Sequence, residues 1–129
     1  MIKQIKSSEI KNYIKENSNV VLLDVRTENE WTTLGKPNAE DLNSKTYFVT
    51  VSFDLSNLQV PDPNFVENVK KNISKDKTIL VMCAAGGRSM IAANLLENEG
   101  YSVLNVSDGY SGNGQDPGWK KLNLPINNS

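Results

Sequence analysis

The chain has no histidine. That excludes a Cys–His dyad, a Ser–His–Asp triad and any metal site built on imidazole. It has a single cysteine, Cys83. No internal disulfide can form, and structural zinc and iron–sulfur clusters lack their ligands. An excess of charge of either sign is also missing. Fourteen basic side chains face 15 acidic ones, the net charge is −1, and the pI is near 5.4. Lysines are scattered among the acids, so nothing in the charge pattern calls for nucleic acid. No apolar run approaches the length of a membrane span. The start of the chain, Met1 to Lys6, lacks the apolar stretch of a signal peptide. The expectation is therefore a soluble, cytoplasmic chain with neither nucleic acid nor membrane as a partner. Its 129 residues, 38% of them hydrophobic, suffice for one domain, residues 1–129, around one core.

What is present centres on residues 78 to 99. Thr78-Ile79-Leu80-Val81-Met82 reads as a strand buried on both faces, the kind found inside a parallel sheet. Met90 to Glu99 carries apolar residues at helical spacing, and Gly100 stops it. Between them lies Cys83-Ala84-Ala85-Gly86-Gly87-Arg88-Ser89. A lone cysteine at the end of an apolar strand is ordinarily a small core residue. A core residue, however, has no need of Gly-Gly-Arg-Ser and a helix start directly after it. A strand-to-helix loop turns unpaired backbone N–H groups inward, with the positive end of the helix dipole behind them, and so holds an anion. Here the anion is the Cys83 sulfur, and a thiolate so held is a nucleophile near neutral pH. Gly86 and Gly87 allow close backbone approach and positive φ. Ala84 and Ala85 are small and uncharged, Arg88 adds a fixed positive charge, and Ser89 bonds back into the loop or starts the helix.

The rest of the chain alternates strand and helix. Gln4-Ile5 reads as a short edge strand, and Ser7 or Ser8 caps a helix with Ile10, Tyr13 and Ile14 on one face. Val20 to Val25 is a second buried strand whose carboxyl end carries Asp24. Asp24 and Arg26 read chiefly as paired loop anchors supporting the site, and otherwise as charge at its mouth. A short helix spans residues 27–31. Residues 34–46 read as a long surface loop, residues 47–53 as a strand, and residues 57–62 as a loop broken by Pro61 and Pro63. A helix from Asn64 presents Phe65, Val66, Val69 and Ile73. Ser102 to Val106 is a last strand, and Ser107 to Gly118 a glycine-rich loop beside the crevice. Tyr110 reads equally as lining that mouth or as a packed or merely exposed side chain. Trp119 to Leu122 makes a final helical turn. Five strands alternating with helices imply an α/β domain, a parallel sheet covered on both faces.

Cys83 to Ser89 resembles the active-site loop of the rhodanese-like sulfurtransferases, Cys-x-x-Gly-x-Arg-Ser. Leu22-Leu23-Asp24-Val25-Arg26, Glu30-Trp31, Asn105-Val106-Ser107-Asp108-Gly109-Tyr110, Gly118-Trp119 and Leu124-Pro125 resemble the same family in the same order, over residues 20–126. Where the family shows a Gly-His-Ile-Pro-Gly-Ala-like segment, this chain has Leu34-Gly35-Lys36-Pro37-Asn38-Ala39. The resemblance implies a single rhodanese-like domain without a bound cofactor. In it, Cys83 takes sulfur from thiosulfate, polysulfide or a persulfide, holds it as a covalent persulfide, and passes it to an external thiol, to cyanide or to a sulfur-relay protein. It also implies packing roles for Glu30 and Trp31. Since Arg88 is the only cation in the loop, weak use of the thiosulfate dianion is expected. The alternative is a non-catalytic interaction or sulfide-sensing module on the same fold. A phosphatase fits poorly, because four residues between Cys83 and Arg88 make a smaller cradle than a phosphoryl group requires.

Overall fold

The computed structural model describes residues 2–54 and 57–128. In chain order the elements are β1 (Lys3–Ile5), α1 (Ser7–Glu16), β2 (Val20–Asp24), α2 (Glu28–Leu34), β3 (Lys36–Pro37), a 3₁₀ turn (Ala39–Leu42), β4 (Thr46–Phe48), β5 (Phe53–Asp54), β6 (Asn57–Pro61), α3 (Asn64–Asn72), β7 (Thr78–Met82), α4 (Gly87–Asn98), β8 (Ser102–Val106) and β9 (Ile126–Asn127). Five of the strands form one parallel sheet in the order β1-β8-β7-β2-β4. The uninterrupted apolar runs sit at its centre, in β2 and β7, as burial on both faces requires.

Strand alternation divides the core in two. Val21, Leu23, Val25, Ile79, Val81, Cys83 and Val103 face one way and pack with Phe65 and Val69 of α3 and Ala92, Ala93 and Leu96 of α4. Val20, Leu22, Leu80, Met82 and Val106 face the other way and meet Ile10 of α1, Ala39, Tyr110 and Trp119. Cys83 thus continues the register of Ile79 and Val81 towards the α3–α4 layer, one residue beyond the strand.

Four stretches differ from the sequence expectation. Residues 34–46 are not simply a surface loop. They hold β3, which pairs antiparallel with β9, and the 3₁₀ turn, in which Ala39 is fully buried. The polar residues serve this turn: the Thr46 hydroxyl accepts from the Ala39 amide and donates to Glu40. The strand expected over 47–53 belongs to the sheet only as far as Phe48. Beyond it, Val49 and Val51 donate to the carbonyls of Asp24 and Val25 in an irregular path. Asn57–Pro61, expected as loop, is β6, paired antiparallel with β5. Pro61 is tolerated because it lies at the strand's end. The helical turn expected at Trp119 to Leu122 is a series of turns instead.

Candidate active site

The carboxyl ends of the parallel strands form one edge of the sheet, where α/β sheets bind their ligands. β7 delivers Cys83 to this edge, and β2, in register with Asp24 opposite Met82, delivers Asp24 beside it. Cys83 is 1% exposed. Its Sγ accepts a hydrogen bond from the Gly86 N–H at 3.1 Å. Gly86 caps α4 in the left-handed region, φ 101°. A Cβ there would stand 2.3 Å from the Ser107 carbonyl oxygen, so only glycine fits. Gly87 is different: its φ is not positive, and nothing lies within 4 Å of where its Cβ would be. α4 begins at Gly87, three residues earlier than the apolar pattern suggested. Its first amides therefore lack helical partners at the sulfur's end of the helix.

The glycine-rich segment 107–118 braces this loop from behind. The amides of Tyr110 and Ser111 donate to the carbonyls of Cys83 and Ala84, at 2.8 and 2.9 Å. With those oxygens committed elsewhere, the Gly86 N–H is the loop amide bonded to the sulfur. Gly109 permits the contact, since a Cβ there would lie 2.5 Å from both carbonyl oxygens. Asp108 is buried and pins the segment. It accepts from the Ser7 amide and hydroxyl at the start of α1 and from the Gly118 amide. Tyr110 is fully buried, so of its readings the packed one holds.

Asp24 and Arg26 are both fully buried and paired. Arg26 donates from Nε and Nη2 to the Asp24 carboxylate and from Nη2 to the Gly35 carbonyl. Its guanidinium lies over the Tyr110 ring, 4.0 Å from the centroid. The pair anchors the turn after β2, and with both side chains buried neither charge reaches the mouth.

Arg88 is not the free cation the loop sequence suggested. Its Nη1 and Nη2 donate to Glu30 Oε1 and Oε2 at 2.7 and 2.9 Å. The Arg88 hydrogen bonds, opposed by partial burial, hold the Glu30 carboxyl down to about 2. Arg88 in turn is pushed above its ordinary value, first by the Glu30 hydrogen bonds, then by the charges of Glu30, Cys83 and Asp24. Glu30 Oε1 also accepts from the Thr27 amide and hydroxyl, completing a capping box on α2. The Thr27-x-x-Glu30 spacing was legible as a helix start. The partner 58 residues away was not, and the packing role expected of Glu30 gives way to an ion pair. Ser89, expected to serve the loop or the helix start, instead donates to Asn105 Oδ1 at 2.5 Å. Asn105 Nδ2 donates to the Gly86 carbonyl and to Gln4, so Asn105 holds the peptide that follows Gly86, next to the one whose N–H reaches the sulfur. The one signal for it was a polar side chain inside an apolar strand. Ala84 is half-buried, and Ala85 and Gly87 are exposed at the loop's outer rim.

A sequence model of the rhodanese-like domain matches residues 7–115. The chain belongs to the rhodanese-like family. An uncharacterised protein of Rickettsia prowazekii is 37% identical over 126 residues, 97% of each chain. The Arabidopsis thaliana mitochondrial protein HIGH ARSENIC CONTENT 1 is 37% identical over 90 residues, 69% of this chain and 49% of that one. Among solved structures, Rv0390 of M. tuberculosis matches with a TM-score of 0.75 at 24% identity, covering 98% of both chains. The polysulfide-sulfur transferase homodimer of Wolinella succinogenes matches with a TM-score of 0.69 at 18% identity, over 97% of this chain and 77% of that one. These two structural likenesses concern the fold. Among the described residues of this rhodanese-like domain, no helix is long and apolar enough to cross a membrane.

Proposed function

We propose that this rhodanese-like domain transfers sulfane sulfur through a persulfide on Cys83. The Cys83 thiolate attacks the outer sulfur of a donor S–S bond. That bond breaks, the donor departs with the electron pair, and Cys83 keeps one sulfur as an S–S⁻ group. An external thiolate or cyanide then attacks this outer sulfur, the new S–S bond breaks, and the Cys83 thiolate returns. No oxidant, reductant or metal enters the balance. The observation that carries the reading is the Gly86 N–H on Cys83 Sγ at the start of α4, with the loop carbonyls tied away from the sulfur. The same inward amide and the N-terminus of α4 behind it suit the charge of a persulfide, one bond further out. Loop length supports sulfur over phosphoryl transfer, and the single cysteine requires the acceptor to come from outside.

The test is intact mass after exposure to inorganic polysulfide and, separately, to thiosulfate. The expected result is a gain of one sulfur that is lost on adding cyanide and absent in Cys83→Ser. Folded protein with a free thiol that gains nothing from either donor overturns the reading. The near-complete burial of Cys83 would then favour the second reading, a binding module.

A further inference from the structure

Both arginines of the chain, Arg26 and Arg88, stand at this site, and both are committed to carboxylates. Arg26 is closed off inside the core with Asp24. Arg88 is the one that faces the loop, and Glu30 engages both of its terminal nitrogens. Glu30 and Arg88 are partly exposed, at 21% and 33% of their side chains. Their charges therefore act on whatever approaches the rim at Ala85 and Gly87. An anion arriving there meets a neutral pair and backbone dipoles rather than a net positive charge.

Resting on the sulfur-transfer reading, we infer that Glu30 is a specificity-determining residue: by neutralising Arg88 it makes the Cys83 site discriminate against dianionic donors and in favour of sulfane sulfur carrying at most one negative charge. Glu30 is well placed for this because its position does not depend on Arg88 alone. Its capping contacts to Thr27 fix the carboxylate at the start of α2, so it stays beside the loop throughout a reaction cycle. A single unit charge at this range acts on a monoanion by a modest factor and on a dianion by the square of that factor.

The test compares alkylation of Cys83 by neutral iodoacetamide and by the monoanion iodoacetate, followed by sulfur loading from thiosulfate and from polysulfide, all at low ionic strength. In Glu30→Gln the iodoacetate-to-iodoacetamide rate ratio rises by about threefold, thiosulfate loading rises by roughly tenfold, and both gains shrink as salt screens them. Arg88→Gln, which leaves the Glu30 charge unopposed, moves the alkylation ratio the other way. This second variant decides the matter should Glu30→Gln unfold. Ratios unmoved in the folded variants, while wild type still loads sulfur, overturn the role of Glu30 alone. Shifted alkylation ratios with no loading from either donor overturn the proposed function and the donor class together.

Discussion

Two adjacent glycines in the loop have different reasons to exist. Gly86 needs its positive φ and its approach to the Ser107 carbonyl, while Gly87 meets neither constraint. Gly86→Ala is expected to lose about 1–3 kcal/mol of stability to backbone strain and the clash. It should also slow Cys83 alkylation by iodoacetamide, because the displaced peptide no longer aims its N–H at the sulfur. Gly87→Ala should stay within about 0.5 kcal/mol of wild type. Urea unfolding and alkylation rates of the two variants, measured side by side, check the contrast. The strand-to-helix loop that carries Cys83 was legible in the sequence, because residue types and spacing are local information. Which glycine carries the turn was not, because the obstacle is a carbonyl 21 residues further on.

At the scale of elements, the turn after β2 is held by the buried Asp24–Arg26 pair, which joins β2 to Gly35 at the end of α2 and to the Tyr110 ring. Removing one charge strands the other in the core. Asp24→Asn should therefore cost about 3–5 kcal/mol, and an Asp24→Leu/Arg26→Met double variant clearly less, since it removes both charges together. Equilibrium denaturation of the two proteins tests this, and equal losses would mean that packing rather than charge holds the turn. The buried strands and amphipathic helices were readable because their periodicity is written in a few consecutive residues. Residues 34–46 and 57–62 were misread for the opposite reason. β3 is a strand only because β9 pairs with it 89 residues later, and polar residues there satisfy a 3₁₀ turn rather than solvent.

For the whole molecule, the Glu30–Arg88 pair ties α2 to α4 across 58 residues and couples stability to pH. Glu30 is held at about 2, below its ordinary 4.5. Its contribution is complete above the unfolded value and is lost as pH falls through the folded one. The stability advantage of wild type over Glu30→Gln should be flat above about pH 4.5 and vanish towards pH 2. Thermal unfolding of both proteins across that range checks it, and an advantage that instead disappeared above pH 4.5 would contradict the pairing. The sheet order has a further consequence for how the protein comes into being. β1 joins the sheet through β8, and the carbonyls of Cys83 and Ala84 are held by amides of residues 107–118. During synthesis, which runs at about 5–20 residues per second, Cys83 emerges before the segment that gives its sulfur a setting. The nascent chain therefore carries Cys83 before its loop has a brace, and the setting of its sulfur is completed last.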